Sequence, residues 1–205
     1  QELIQWDGRT LQYDDAGRLS EIEAGMLFDY NALNQLVSVE TPDGRNITYQ
    51  YDTLGRRISR TEGSEIERSC FLNEYRLATY DGDGKVKATY VPGLKGQPWS
   101  VLKINDQAYF PVRDWRGSLV AVFDINGTVV KRFRYNAYGQ VTLSAGPLSV
   151  APEFVGGEVD PGTGLVLFGK RDYSPALHRF TSPDPLGPDK DGSLYGYALS
   201  NPIRF

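Results

Sequence analysis

An all-β fold of stacked antiparallel hairpins is what this sequence predicts, and three observations carry it. The first is composition: 13 tyrosines and 22 glycines, with three tryptophans and one methionine, describe aromatic strands broken by turns. The second is alternation. The stretches "RNITYQYD", "SVLKIND", "SLVAVFD" and "TVVKRFRYN" alternate apolar and polar residues between Gly, Asn and Asp clusters. That is the pattern of half-buried strand, and helical periodicity is scarce. The third is an internal repeat, which bears on the whole architecture.

Aligned on tyrosine, the repeat runs Tyr13-Asp14-Asp15-Ala16-Gly17-Arg18-Leu19, then Tyr30-Asn31-Ala32-Leu33-Asn34-Gln35-Leu36 and Tyr51-Asp52-Thr53-Leu54-Gly55-Arg56-Arg57. It returns at Tyr80–Val86, at Phe123–Val129 and at Tyr135–Val141. Each copy has an aromatic, then Asp or Asn, two variable residues, Gly or Asn, and a further residue that is polar in each. The Asp or Asn side chain can cap its own turn, and the Gly or Asn tolerates positive φ there. Gly17, Gly55 and Gly139 are therefore expected at positive φ, with the aromatics at positions 13, 30, 51, 80, 123 and 135 ending the incoming strands. Spacing between copies runs from 12 to 43 residues, which reads as insertion between repeats. One hairpin cannot bury its own apolar face, whereas stacked hairpins can.

The 205 residues are enough to bury a core as one domain or two. A net charge of −4 supports neither nucleic-acid binding nor docking on an anionic membrane. No apolar run is long enough to span a bilayer as a helix, and no secretion signal opens the chain. A start at Gln1 rather than Met points to a processed or excised piece. The single cysteine, Cys70, leaves no internal disulfide and reads as a buried structural thiol. The single histidine, His178, has no second histidine with which to share a metal, so neither a metal nor a cofactor is expected.

The repeat resembles the YD repeat of Rhs proteins, of the C components of insecticidal toxin complexes, and of teneurins. Residues 109–141, "YFPVRDWRGSLVAVFDINGTVVKRFRYNAYGQV", are similar to the segment leading into the Rhs-associated core. Residues 154–187, "FVGGEVDPGTGLVLFGKRDYSPALHRFTSPDPLG", resemble that core itself. The resemblance implies a shell segment over 1–150 and a core over 151–205. It implies that the hairpins spiral into a hollow β-shell and that the core curls inward as a plug. In bacterial members the core then cuts the chain by an aspartyl-protease-like reaction, freeing an enclosed C-terminal toxin. The partners implied are the rest of the shell and that toxin domain, and the setting is secreted or cell-surface.

The resemblance assigns this chemistry to Arg171 and Asp172 in "GKRDYSP" and to Asp184 in "SPDPLG". Two carboxylates held close cannot both ionise, so one can stay protonated as acid while the other activates water. An arginine can hold a carboxylate ionised or stabilise an oxyanion. From the residues alone, Arg171 and Asp172 read equally as strand neighbours facing opposite sides. Asp184-Pro185 reads equally as a turn former, like Asp160-Pro161 upstream. Two positions depart from the family's pattern: Ser174 stands where relatives have an acid, and His178 where they have glycine. Glycine there implies that His178→Ala is nearly silent for cleavage. In the family a second Asp-Pro-x-Gly follows eighteen residues after the first, and Pro188–Phe205 is eighteen residues, so the scissile bond is expected just beyond Phe205. A structural or adhesive YD-repeat segment without proteolysis is the competing reading. A carbohydrate-binding β-domain rests on the tyrosines alone.

Overall fold

Each copy of the repeat folds as the turn its residues dictate. In the first, the Gly17 N–H donates to the Asp14 carbonyl at 2.8 Å and the Asp14 N–H to Arg18 O at 2.9 Å. Asp14 Oδ1 accepts the N–H groups of Ala16 and Arg18 at 3.0 and 2.9 Å. Asp52, Asp81, Asp124, Asn31 and Asn136 cap their turns with the same pair of side-chain bonds. The fourth turn residue lies at positive φ: 75° at Gly17, 80° at Gly55, 93° at Gly139 and 60° at Asn34. Each aromatic closes its strand and pairs across the turn, Tyr13 with Leu19, Tyr30 with Leu36, Tyr51 with Arg57. A register shift at each of these pairs marks the bulge that a left-handed residue introduces.

Two further turns, Thr41–Arg45 and Asp114–Ser118, make the same backbone bonds although Glu40 and Arg113 precede them. The aromatic is thus dispensable to the turn, and at Thr41, whose hydroxyl donates to the Arg45 carbonyl at 3.2 Å, so is the Asp or Asn acceptor; the left-handed glycine is kept at both.

The structure, a computed structural model, describes residues 2–23, 25–93, 98–188, 193–198 and 201–202. Among these it is all-β, with two antiparallel sheets and no α-helix. Fifteen strands, Gln5–Trp6 to Val141–Ala145, pair strictly in chain order as one long sheet. Five more, Glu153–Phe154 to Arg179–Phe180, make a short sheet. Strands alternate in direction, so successive turns fall on opposite rims. Asp14, Asn31, Asp52, Asp114 and Asn136 share one rim, and Asp81 and Asp124 lie on the other.

Sorted by rim, the irregular spacing resolves. Asn31, Asp52 and Asn73 follow at 21-residue intervals, and Tyr30 and Tyr135 stand 105 residues apart, five such intervals. Part of what reads as insertion is degenerate copies, at Asn73-Glu74 and at Asp114–Ser118. At Asn73-Glu74 a two-residue hairpin replaces the five-residue turn, with Asn73 at φ 51° and Leu72 paired to Tyr75. Arginines tie neighbouring turns along this rim: Arg18 Nη1 donates to Asn31 O at 2.9 Å, Arg116 Nη1 to Ala137 O at 3.4 Å, and Arg56 to Asn73 O.

The long sheet curls round the short one. Strands spaced about 4.8 Å apart would separate the first from the fourteenth by roughly 60 Å if laid flat. Yet Trp6 of the first strand and Tyr138, just past the fourteenth, both pack on the imidazole of His178. Tyr138 stacks on it at 3.6 Å between centroids and Trp6 meets it edge-on at 5.1 Å. Trp6 Nε1 also donates to Ala176 O at 2.8 Å. The wall therefore closes on the plug at His178, a residue at φ 58° that burial holds below the ordinary histidine pKa. His178→Ala removes both ring contacts while keeping a side chain at positive φ, and is expected to cost about 2 kcal/mol. Thermal melting checks this, with His178→Gly expected to lose less than alanine because it sheds the backbone strain.

The closed wall buries apolar residues in three clusters. Leu11, Leu19, Phe28, Leu36, Val39 and Ile47 pack with Leu165 and Leu177 of the plug. Trp99, Leu102, Leu119, Val122 and Phe133 make a second cluster, and Phe154, Val166, Tyr173 and Phe180 a third inside the plug. Cys70 corrects the expectation of a buried thiol: it is exposed, because alternation along Glu65–Leu72 turns Arg68, Cys70 and Leu72 outward. No helix is long and apolar enough to cross a membrane among the described residues.

Candidate functional site

The strand Arg171–Ser174 pairs with Val166–Phe168 in unbroken register, Phe168 with Arg171 and Leu167 with Asp172. With no bulge between them, Arg171 and Asp172 project to opposite sides, as period-two geometry requires. Each acquires its own partner.

On one side, Arg171 Nη2 lies 2.7 Å from Asp184 Oδ2, and its guanidinium sits 3.7 Å over the Phe180 ring. Burial lowers the pKa of Arg171, and Asp184 opposes that shift. Asp184 is also a turn former: its Oδ1 accepts the Leu186 N–H at 2.9 Å and its carbonyl the Gly187 N–H at 3.0 Å. This is the grammar of the repeat turns again, with Gly187 at φ 95°. Arg171 and Asp184 are thus brought together, thirteen positions apart, by the return of the chain through Arg179–Phe180.

On the other side, Asp172 is 4% exposed and faces the long sheet. Its Oδ1 accepts from Arg57 Nη2 at 2.9 Å. Its carbonyl accepts both the N–H and the hydroxyl of Thr181, at 2.9 and 3.1 Å, which fastens it three residues before Asp184. Burial pushes the Asp172 carboxyl above the usual range, and Arg57 only partly offsets it. Burial also works against the charge of Arg57, but Asp172, Tyr51 and Tyr49 outweigh it, so this guanidinium stays protonated. The carboxylate's direction follows from its nearly complete enclosure: one arginine does not replace its lost hydration. The structure thus pairs Arg171 with Asp184 and Asp172 with Arg57, and among the described residues no hydrogen bond joins the two aspartate side chains. Ser174, on the same face as Asp172, caps the next turn by accepting the Leu177 N–H at 3.2 Å. It puts no acid into the site.

Several wall residues around this site go unread in the sequence. Tyr49 OH donates to Asp160 Oδ2 at 2.9 Å, and Arg60 Nε reaches the same oxygen at 2.7 Å. Asp160 also caps its own turn through the N–H groups of Gly162 and Thr163. Burial raises its pKa, but Arg60, Tyr49 and the turn together leave it lowered. Arg57 was legible. It holds the slot across the turn that Leu19, Leu36 and Leu119 fill on the same rim, where all three are buried. An arginine in an inward apolar slot calls for a buried acid. Among the described residues no group of three or more His, Cys, Asp or Glu is placed to hold a metal.

The comparisons agree with this fold. The family description "Teneurin YD-shell" matches residues 1–203. Teneurin-3 of Danio rerio is 30% identical over 190 residues, covering 86% of this chain and 7% of that protein. The tRNA3(Ser)-specific nuclease WapA of Bacillus spizizenii is 27% identical over 98% of the chain and 9% of its own length. Double-stranded DNA deaminase toxin A of Burkholderia cenocepacia is 26% identical over 98% of the chain and 17% of its own length. The crystal structure of TcdB2-TccC3 without its hypervariable C-terminal region shares the fold, with a TM-score of 0.76 at 21% identity over 94% of the chain and 10% of that one. The chain therefore spans less than a fifth of each of these relatives. Matched along nearly its whole length, from the first turn to the plug, it belongs to the Teneurin YD-shell family.

Proposed function

We propose that this chain is the closing segment of a toxin-enclosing shell, and that its plug cuts the polypeptide just beyond Phe205 to free a C-terminal toxin. The partners are the remainder of the shell and that toxin, and the setting is secreted or cell-surface. In this reading Asp184, held by Arg171, takes a proton from water as the water oxygen bonds to the scissile carbonyl carbon. Arg171 also steadies the developing oxyanion. Asp172, whose burial favours the protonated form, supplies the proton that the amide nitrogen takes as the C–N bond breaks. It stands on the other side of the strand from Arg171 and Asp184, so the scissile segment must cross the strand edge within reach of both. The products are a carboxyl and an amine. Asp184 ends protonated and Asp172 ionised, and exchange with water restores both. What supports the reading is one observation: an arginine–aspartate pair and a proton-holding aspartate lie on adjacent segments of an enclosed plug. The toxin relatives add weight to it.

A structural segment without proteolysis is the second reading. It is favoured by the match to a teneurin and by Asp184, whose two oxygens are both engaged in the turn and the arginine pair.

The test is the cleaved fraction of the full-length protein on a denaturing gel across a dilution series. Cleavage is expected to be independent of concentration, because site and substrate share one chain. Asp184→Asn keeps the size and the turn cap but cannot act as acid or base, and should abolish cleavage. Arg171→Lys should slow it, keeping charge while losing the planar grip. Normal processing by a folded Asp184→Asn protein leaves that residue a turn former and nothing more.

A further inference from the structure

We infer that Arg57, on the shell wall, is a positioning residue for the cleavage reaction, so that the plug becomes competent only when the wall has closed around it. This rests on the proposed self-cleavage and adds a residue and a condition to it. The Arg57 guanidinium is gripped from three sides. It lies 3.8 Å over the Tyr49 ring and 5.5 Å from the Tyr51 ring centroid, and Nη2 donates to Tyr51 OH at 2.9 Å. Tyr51 OH is itself anchored, donating to Leu36 O at 2.8 Å. The remaining direction is Asp172 Oδ1, at 2.9 Å. With side chains 12% and 5% exposed, the pair is shut off from solvent, and the two residues lie 115 positions apart on different sheets.

That separation matters. Arg171 and Asp184 belong to the plug and can pair within it, whereas Asp172 reaches its cation only across the sheet-to-sheet interface. An unseated plug leaves Asp172 without Arg57 and free to turn. Arg57 thus links the geometry of one candidate catalytic carboxyl to completion of the wall, which would hold cutting back until the cargo is enclosed. The charged and titratable groups facing Asp172 are Arg57, Tyr30, Tyr49 and Tyr51 from the wall and Asp160 from the plug. The tyrosines are all held neutral, their pKa values raised by burial, and Asp160 favours protonation of Asp172. Arg57 is therefore the group opposing it.

The experiment measures cleavage rate against pH for the full-length protein and folded variants. Arg57→Gln removes the opposing charge, so Asp172 keeps its proton to higher pH. The alkaline limb of the profile should move upward, with the maximal rate lower by about ten-fold or more from lost positioning. A merely structural arginine would lower the yield of folded protein without moving that limb. If Arg57→Gln fails to fold, Arg57→Lys decides: charge without the three-sided grip should leave the limb near its place and still cut about ten-fold slower. Wild-type rate and profile in folded Arg57→Gln, or wild-type rate in Arg57→Lys, overturns the role of Arg57. Normal cleavage by folded Asp172→Asn or Asp184→Asn overturns the underlying reading instead, so the two failures are separable.

Discussion

Gly139→Ala is expected to lose about 3–5 kcal/mol of stability, far more than the equivalent change at a neighbouring copy of the same turn. Two effects add at Gly139. Its φ of 93° is strained for alanine, and a Cβ there would lie 2.5 Å from Cδ1 and 2.8 Å from Cγ of Phe154. Phe154 is fully buried at the centre of the plug cluster and has nowhere to retreat. Gly55, at φ 80°, would meet nothing nearer than Gln35 Nε2 at 3.3 Å, the end of a flexible side chain. Its substitution carries the backbone cost alone, about 1 kcal/mol. Denaturant unfolding of the two variants separates the contributions. Equal losses would mean that the wall turn at Gly139 does not press on the plug.

Asp172→Asn is expected to stabilise the protein at neutral pH while abolishing cleavage. The sign follows from proton linkage. The folded-state pKa of Asp172 lies above its unfolded value, so between the two the folded state binds more protons than the unfolded. The stability this carboxyl contributes is complete below the unfolded pKa, near 4, and is lost as pH rises through the folded pKa. Asparagine resembles the protonated acid and does not titrate. The variant should match the wild type near pH 4 and exceed it increasingly on the way to neutrality, by about 1.4 kcal/mol for each tenfold gain in proton affinity on folding. It should keep the acceptor that Arg57 uses. Melting midpoints from pH 4 to 7 check this, and an Asn variant that falls progressively below the wild type would show Arg57 holding a net-stabilising carboxylate. An Asn variant that gains stability and loses cleavage together would mark Asp172 as a group placed for chemistry rather than for folding.

How much of this was legible depended on the range of the forces involved. The repeat hairpins were, because in each copy the strand ends where an Asp or Asn cap and a left-handed residue settle the backbone locally. Tyr13, Tyr30 and Tyr51 close their strands as their frames require. The two rims were not, since Asp81 and Asp124 carry the same local signature as Asp52 and only strand direction separates them. Asn73 hides a copy of the period because its tighter turn needs neither glycine nor aromatic. Closure at His178 depends on Trp6 and Tyr138, contacts that no local pattern announces. In the site, alternation already set Arg171 and Asp172 on opposite sides. Their partners depend on how the chain returns: Asp184 after one strand, Arg57 from across the wall. The inward slot of Arg57 was readable against Leu19 and Leu36, and that mismatch is the one sequence signal of the buried pair.

Whether the plug severs its own polypeptide is decided by an intact-mass measurement on the purified full-length protein. Two fragments are expected, their masses summing to the whole plus one water, with the new carboxyl terminus shortly after residue 205, and a single uncut chain from Asp184→Asn. A single uncut wild-type chain, folded and held at neutral pH, would contradict self-cleavage.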